Sequence, residues 1–184
     1  FIIKPLLNYL KLSKEFDVKI VVSGAHLSSY HGFTKQIIES DGFEIVDQVD
    51  SYLHTNRKTQ RIKGIGLLVT GLSQTVERIN PDFLLVLGDR EESIATALVG
   101  NYMDKLVIHI GGGDPVYGNA DDPIRFAVSK LAHIHLTTCN QYAKNLISVG
   151  EDEFRVKFIG NPAYDEIRTV KKLSNKEISK RINF

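Results

Sequence analysis

Three short apolar runs constrain the fold of this 184-residue chain more than any other feature. They cover residues 18–22, 83–87 and 106–110, and each contains at most one polar residue. Short runs that are apolar almost throughout are typical of β-strands buried on both faces, as in the parallel sheets of α/β proteins. The three runs therefore predict a parallel sheet covered by helices.

Weaker runs and helical patterns complete an alternating arrangement. The first run extends to a strand over residues 18–23, and three further β-rich runs predict strands over residues 43–49, 134–138 and 156–159. Apolar residues at three- and four-residue steps predict helices over residues 6–12, 62–79, 94–99, 124–131 and 142–149. This alternation predicts an α/β fold built on a doubly wound parallel sheet. The charged tail, residues 171–184, is compatible with a helix or with a terminus that becomes ordered on docking.

The longest predicted helix has a regular apolar stripe and a defined end. Six residues form the stripe that we expect to face the core: Ile62, Ile65, Val69, Leu72, Val76 and Ile79. The helix ends at Asn80, because Pro81 disfavours helical geometry in the residue before it.

Composition excludes several classes of protein. Lys and Arg total 23 and Asp and Glu total 22, so the net charge of +1 gives no support for nucleic acid as a partner. The single Cys139 excludes an intramolecular disulfide and a multi-cysteine zinc site. No run approaches the ~20 apolar residues of a membrane span, and the first residues do not have the pattern of a signal peptide. We expect a cytoplasmic domain with no membrane partner, and the absence of an initiator Met suggests that the sequence begins inside a longer chain.

Three polar loops follow predicted strands. They comprise residues 23–26, residues 88–93 and residues 111–114, and the last continues through a polar stretch to the next helix. In open α/β sheets, ligands bind outside the carboxyl ends of the strands. If the sheet is parallel, all three loops lie at one edge, and Asp89 and Asp114 share a site there.

Each loop also has a structural interpretation. Residues 88–89 are equally compatible with a turn followed by a helix N-cap. The glycines at 111–113 can supply positive φ angles, or they can let the backbone approach a ligand closely. Asp121 and Asp122 suit a helix start, where one of them would be a cap. No G-x-G-x-x-G, P-loop or HExxH spacing is present.

Some of the histidines and basic residues are better explained by structural roles than by functional ones. His133 and His135 alternate at a strand start and are better explained as structural, whereas His26 and His31 are compatible with either role. The basic residues between 57 and 63 are typical of the solvated face of a helix.

Five segments together resemble a known family. In chain order they read S-G-A-H-L-S (23–28), L-G-D-R (87–90), H-I-G-G-G-D (109–114), D-D-P-I-R-F-A-V-S-K-L-A-H (121–133) and I-G-N-P-A-Y-D (159–165). They resemble the N-terminal half of UDP-N-acetylglucosamine 2-epimerases, and the hydrolysing branch is the most similar. The G-D-R at 88–90 matters here, because the non-hydrolysing branch usually has G-D-T.

The resemblance implies a Rossmann-like domain that forms one half of a GT-B two-domain arrangement. Residues 1–166 would be the N-terminal domain without its first strand. Residues 167–184 would be a tail, or the start of the connection to a second domain. The second domain holds most of the uridine and diphosphate contacts in this family.

The resemblance also implies a reaction, a UDP-sugar partner and a homo-oligomer, with no cofactor and no metal. In the family, a base removes the C2 proton while UDP leaves C1, and hydration then gives an N-acetylmannosamine-type sugar. The implied catalytic carboxylates are Asp89, Asp114 and Asp121. The implied substrate-binding residues are His26, Arg90, Arg125, Gly112 and Gly113.

Two departures and three alternatives accompany this resemblance. The family usually has glutamate where this chain has Asp114, and histidine where it has Phe126. The alternatives are a non-hydrolysing epimerase, a GT-B glycosyltransferase and a non-catalytic sugar-nucleotide binding module.

Overall fold

A computed structural model describes residues 3–55, 57–118, 120–169 and 172–182. The chain divides into two compact units. One unit comprises residues 1–18 and 161–184, and the other comprises residues 19–160. The second unit contains all the strands among the described residues and all the loops predicted to form the site.

All six predicted strands are present. They are β1 (Ile20–Ser23), β2 (Ile45–Val49), β3 (Phe83–Leu87), β4 (Leu106–Ile110), β5 (Ile134–Thr137) and β6 (Val156–Phe158). β3 and β4 have the predicted bounds, and the others are one or two residues shorter than predicted. Every pairing is parallel, in the orders β1-β2 and β3-β4-β5-β6.

The parallel pairing is confirmed, but the strands form two sheets where one continuous sheet was predicted. Over the described residues, β1 pairs with β2 alone, and β3 pairs with β4 alone. A continuous sheet would need β1 and β3 to bond to each other or to a strand between them, and the described residues provide neither.

Helices follow most strands, and all five predicted helices are present. The helices are α1 (Lys4–Leu12), α2 (Lys35–Ser40), α3 (Thr59–Ile79), α4 (Glu91–Tyr102), α5 (Asp121–Leu131), α6 (Asn140–Ser148), α7 (Pro162–Thr169) and α8 (Asn175–Arg181). The short α2 and α7 were not predicted. The tail contains the helix α8, which was one of its two predicted states, and Ser174 and Glu177 form a capping box at the start of that helix. Residues 171 and 183–184 of the tail lie outside the described residues.

Across the described ranges, none of the helices combines the length and the apolar character that a bilayer span requires.

One hydrophobic core joins the two sheets. Val49 of β2 packs with Leu68 and Leu72 of α3, and the partly buried Val21 and Leu84, from β1 and β3, pack against the same cluster. α3 and α4 therefore cover strands of both sheets. A second cluster lies under α4 and α5 and comprises Val86, Ala97, Val107, Val128 and Ala132.

The buried face of α3 includes Leu72 and Val76 of the predicted stripe but is rotated away from the start of that stripe. Ile62 is 65% exposed, whereas Leu68, which lay outside the stripe, is 1% exposed. Two glycines explain the rotation, because a Cβ on Gly64 would meet the Ser51 carbonyl oxygen at 2.8 Å and one on Gly71 would overlap Val49. Close approach at these glycines turns the face containing Leu68 towards the sheet.

The histidines at the start of β5 have structural partners, as predicted. His133 Nδ1 accepts a hydrogen bond of 3.0 Å from the Val107 N–H. His135 is fully buried, and its Nε2 lies 3.1 Å from Glu151 Oε2, while Lys130 Nζ lies 2.6 Å from Glu151 Oε1. Burial alone would raise the pKa of Glu151, but these partners outweigh it and lower that pKa below its usual value.

The exposure difference along α3 gives a direct test. Leu68→Ala should lower the free energy of unfolding by roughly 2–5 kcal/mol, because it leaves a cavity in the shared core. Ile62→Ala on the same helix is the matched control and should change it by less than about 0.5 kcal/mol. Urea denaturation of both variants measures the two effects, and equal losses would contradict the assigned face of α3.

Candidate active site

The three predicted loops meet at the carboxyl ends of the strands. The Gly88 N–H, after β3, donates a hydrogen bond of 2.9 Å to the carbonyl of Ile110 at the end of β4. A Cβ on Gly111 would lie 4.0 Å from the Gly88 nitrogen. The loop after β1 approaches from another side, since a Cβ on Gly24 would lie 2.5 Å from Glu92 Oε1. The predicted convergence of the loops is confirmed.

A single guanidinium joins the two principal carboxylates. Arg125 of α5 donates through Nε and Nη2 to Asp89 Oδ2, with an Nε–Oδ2 distance of 3.1 Å. Its Nη1 lies 2.9 Å from Asp114 Oδ2. The structure thus confirms that Asp89 and Asp114 share one edge of the sheet and brings both into contact with Arg125.

Low exposure to water strengthens the ion pairs between Arg125 and the two carboxylates. The side chains of Arg125 and Asp89 are 11% and 15% exposed, whereas that of Asp114 is 37% exposed. Burial acts against the charge of Arg125, but the hydrogen bonds with the two carboxylates raise the pKa of the guanidinium above its usual value. Asp114 is therefore the more accessible carboxylate of a pair held by one cation.

The interpretation of Asp89 as a helix cap is wrong. α4 has Arg90 at its N-cap position, and no side chain caps the helix. The carboxylate of Asp89 instead bonds to Arg125, and the turn before it is made by Gly88, whose φ is +72°. Arg90 is 70% exposed, and its nearest described acidic partner is Glu91 at 3.7 Å.

A buried histidine ties the loops to α5. His109 on β4 is completely buried, and its Nε2 donates a hydrogen bond of 2.8 Å to the Gly88 carbonyl. Its Nδ1 and the Arg125 carbonyl oxygen each lie 3.1 Å from the Ser129 hydroxyl, whose single hydrogen is donated to one of these two acceptors at a time. Burial lowers the pKa of His109 to about 4, so the imidazole is neutral at pH 7. The ring positions the backbone that carries Asp89 and Arg125.

The glycine run before Asp114 is needed for close packing. Gly111 and Gly113 have φ angles of +82° and +79°. A Cβ on Gly112 would lie 2.7 Å from Ser129 Oγ and 3.0 Å from His109 Nδ1. The positive φ angles predicted for this run are confirmed at two of its three positions, and Gly112 packs against the supporting histidine.

Asp121 belongs to a second ionic network. Its Oδ1 lies 3.6 Å from Arg61 Nη2, and Arg61 also bonds to Glu91 at the start of α4. Burial would raise the pKa of Glu91, but Arg61 lowers it below its usual value. Arg61 lies on the exposed face of α3, as predicted for the basic run, and its side chain is 55% exposed although it pairs with both acids.

One of the two acids at the start of α5 was predicted to cap the helix, but neither of them does. The N-cap position is Ala120, and no side-chain cap hydrogen bond is formed. Asp122 Oδ1 instead accepts a hydrogen bond of 2.8 Å from the Val116 N–H and so fixes the preceding loop.

The described side-chain hydrogen bond of His26 is to a residue outside the carboxylate pair. Its Nδ1 is 2.7 Å from the Thr34 hydroxyl, and the hydrogen bonds described for its side chain include none to Asp89 or Asp114. His31 packs edge-on against Tyr52 with ring centroids 4.9 Å apart.

A metal centre finds no support in this geometry. Within the ranges that the structure describes, no three His, Cys, Asp or Glu side chains are grouped so as to hold a metal ion.

Comparison with known proteins identifies the family. A family model described as UDP-N-acetylglucosamine 2-epimerase matches residues 8–183. This chain belongs to the UDP-N-acetylglucosamine 2-epimerase family.

Two curated members of this family are about one third identical to the chain over the residues that align with it. It is 31% identical over 182 residues to the GDP/UDP-N,N'-diacetylbacillosamine 2-epimerase (hydrolyzing) of Campylobacter jejuni, covering 99% of this chain and 47% of that protein. It is 33% identical over 165 residues to the UDP-N-acetylglucosamine 2-epimerase of Neisseria meningitidis, covering 89% of this chain and 42% of that protein. The chain spans about half the length of the curated relatives it matches.

Solved epimerase structures confirm the fold. A UDP-GlcNAc 2-epimerase from Neisseria meningitidis, solved with UDP-GlcNAc bound, superposes with a TM-score of 0.78 at 18% identity over 98% of this chain and 48% of its own. The UDP-GlcNAc 2-epimerase of Methanocaldococcus jannaschii gives 0.76 at 15% identity, over 99% and 48%. The chain therefore has the Rossmann-like α/β fold of the GT-B 2-epimerases.

The candidate site also includes residues that sequence reasoning missed. Asn145 of α6 donates a hydrogen bond of 2.9 Å to the Gly113 carbonyl, and the backbone of Tyr142 on the same helix lies directly against Gly113, where a Cβ would overlap the Tyr142 carbonyl oxygen. One signal was available for both, because α6 follows β5 and thus starts at the carboxyl edge of the same sheet. Arg61 carried no such signal, since it lies on a helix that precedes β3.

The pKa of His109 predicts a pH dependence of stability. Its ordinary value is 6.5 and its folded value about 4, so the unfolded chain binds the proton more tightly between these limits. The stability tied to neutral His109 is fully present above pH 6.5 and is lost as the pH falls to about 4. From pH 7 to pH 5, the free energy of unfolding should fall by about 2 kcal/mol more in the wild type than in His109→Gln.

Urea denaturation of both proteins at the two pH values measures this difference. Titration of His135 is common to both proteins and cancels in the comparison. Equal losses on acidification would show that the His109 ring is not held neutral by burial.

Proposed function

We propose that this chain is the N-terminal half of a hydrolysing UDP-N-acetylglucosamine 2-epimerase, or of an enzyme acting on a related N-acylated UDP-sugar. The products would be an N-acetylmannosamine-type sugar and UDP. The observation that carries the proposal is the bridge from Arg125 to both Asp89 and Asp114 at the carboxyl edge of the sheet. It gives two carboxylates fixed positions at that edge.

The reaction needs two proton transfers at one carbon of the sugar. A carboxylate takes the C2 proton while the C1–O bond breaks, and UDP departs with the bonding electrons. Water then adds its hydroxyl to C1 of the unsaturated sugar, and a proton returns to C2 from the opposite face. Asp89 and Asp114 are the acid/base groups in this proposal, because positioned carboxylates can perform general acid–base catalysis.

Arg125 holds the two carboxylates side by side. Its guanidinium lies between them with little exposure and offsets the repulsion between two like charges in one place. Arg125 is also one of the residues proposed to contact the substrate.

The remaining predicted residues surround this pair in the proposal. Asp121 positions the substrate or acts as the third acid, with Arg61 beside it. Arg90, with its largely exposed guanidinium, contacts the diphosphate. His26 and the backbone at Gly112 and Gly113 contact the sugar.

The names of relatives support the hydrolysing reaction and keep one alternative open. The Campylobacter jejuni relative is named as hydrolysing, whereas the Neisseria meningitidis relative at 33% identity is named simply as a 2-epimerase. Product analysis separates the two reactions. Free UDP with a free sugar supports hydrolysis, and a UDP-linked epimer supports the non-hydrolysing alternative.

Two observations support the proposal that a strand and a second domain complete the enzyme. The chain spans less than half of each relative reported above. Within the described ranges, β1 and β3 belong to separate sheets although α3 and α4 pack across both. A strand supplied between β1 and β3 would make the sheet continuous.

The 184-residue chain by itself should not turn over UDP-N-acetylglucosamine. Half of a cleft holds the acid/base pair but cannot enclose the substrate or exclude water. Release of UDP from UDP-N-acetylglucosamine, measured on the purified 184-residue chain and on the complete two-domain enzyme, checks this. Equal rates for the two proteins would contradict the need for a second half.

Asp114→Asn in the complete enzyme should lower kcat by about 10²–10⁴-fold. Asparagine retains the size and the ability to hydrogen-bond but cannot accept the proton, so KM should change much less than kcat. Asp114→Glu restores the length that is usual in the family and should retain substantial activity.

Steady-state kinetics together with thermal melting separates catalysis from folding in these variants. If Asp114 serves the turn alone, Asp114→Asn should lower the melting temperature and leave kcat near normal. That result would remove Asp114 from the catalytic residues.

A further inference from the structure

Asp114 follows a segment of backbone that has little rigidity of its own. The three residues before it are glycines, and Gly111 and Gly113 have φ angles of +82° and +79°. Glycine reaches such angles readily, but it also has access to many other conformations. The position of the Asp114 carboxylate therefore depends on the contacts that the glycine segment makes with the rest of the domain.

α6 lies directly against the last of these glycines. A Cβ on Gly113 would overlap the carbonyl oxygen of Tyr142 and would lie 3.0 Å from Leu146 Cγ. Leu146 is completely buried, so this part of α6 is anchored in the interior of the domain. The helix therefore provides a fixed surface on which the loop backbone rests.

One side chain of α6 forms a hydrogen bond with the loop at this point. Asn145 Nδ2 donates to the Gly113 carbonyl over 2.9 Å. The orientation of the amide is itself fixed, because Gln141 Nε2, one turn earlier on α6, donates a hydrogen bond of 3.1 Å to Asn145 Oδ1. Asn145 is half-buried, which reduces competition from water for the Gly113 carbonyl.

This hydrogen bond acts on Asp114 through a single peptide group. The Gly113 carbonyl and the Asp114 nitrogen belong to one planar unit, so fixing the direction of the carbonyl also fixes the positions of the Asp114 nitrogen and Cα. At the other end of the side chain, Arg125 Nη1 lies 2.9 Å from Oδ2. Because that guanidinium also serves Asp89 and the Asp114 side chain is 37% exposed, the backbone contact supplies the second anchor.

We propose that Asn145 is a positioning residue for Asp114 and that it acts through the Gly113–Asp114 peptide group. The kinetic consequence rests on the proposed function, in which Asp114 is an acid/base group, whereas the effect on the loop does not. The reaction assigned above gives Asn145 no step, since a side-chain amide donates and accepts hydrogen bonds but does not take up a proton at neutral pH.

The first test measures the loop without any turnover. Hydrogen–deuterium exchange is followed by mass spectrometry on the complete enzyme and on two variants, Asn145→Ala and Asn145→Leu. Alanine removes the donor without adding bulk, and leucine removes it while filling the space. In both variants, amides over residues 112–116 should exchange roughly 3–10-fold faster, which is the effect on local opening of losing one hydrogen bond.

The matched control is Lys144→Leu, at the adjacent exposed position of α6. It places the same leucine on the same helix but retains the donor to Gly113. Exchange over residues 112–116, kcat and KM should therefore stay at their wild-type values. Thermal melting of every variant shows whether it is folded, and the alanine variant provides the test if leucine overpacks the site.

The second test measures the positioning of Asp114 in the proposed reaction. In the complete enzyme, Asn145→Ala should lower kcat about tenfold with KM changed less than about threefold, because a misplaced acid/base group affects the rate more than binding. In an Asp114→Asn background the same substitution should change kcat less than about twofold, since the group that it positions is already inactive. A purely structural role would lower kcat equally in both backgrounds.

The outcomes distinguish this inference from the proposed function. Unchanged exchange over residues 112–116 in both Asn145 variants overturns the support of the loop, whatever the enzyme does. Equal reductions of kcat in the two backgrounds overturn the positioning of Asp114. Faster exchange in a complete protein that converts no UDP-sugar supports the contact and overturns the proposed function instead.

Discussion

The arrangement of this domain depends on one guanidinium shared by two carboxylates. Arg125 is almost buried, and a buried charge is tolerated only when it is paired and hydrogen-bonded. Removing either Asp89 or Asp114 would therefore disturb the other through Arg125. Because the three groups come from the ends of β3 and β4 and from α5, the pairing also fixes how those elements meet. The contacts that hold the two carboxylates in place also hold this edge of the fold together.

The support behind the pair is neutral and closely packed. His109 bonds to the Gly88 carbonyl, and the Ser129 hydroxyl connects it to the backbone of α5. A charged imidazole here would repel Arg125 across a short distance in a poorly solvated region, so burial that keeps the ring neutral also protects the pairing. Gly112 completes this packing, because any side chain at that position would displace both His109 and Ser129.

Sequence reasoning reached the strands and the carboxylate edge because both depend on local pattern. Continuous apolar runs define β3 and β4, and residues that follow parallel strands must share an edge, so Asp89 and Asp114 could be placed together in advance. Contacts set by long-range packing could not be found in this way. The inward face of α3 depends on how closely Gly64 and Gly71 approach other segments, and the hydrogen bond from Asn145 to the Gly113 carbonyl depends on the position of α6 against a loop 32 residues earlier.

The charge distribution at this edge divides the proposed reaction between two sites. The Arg125 cluster has one positive and two negative charges, so it is suited to accept protons and unsuited to hold a departing diphosphate. Arg61 is likewise occupied by Glu91 and Asp121. Arg90, with 70% of its side chain exposed, is the cation at this edge that is best placed to meet a phosphate. If this half supplies the acid/base groups with so little free positive charge, most of the stabilisation of UDP must come from the other half of the cleft. Substrate would then be fully held only when the two halves close, and the acids would act only on a sugar that is already enclosed.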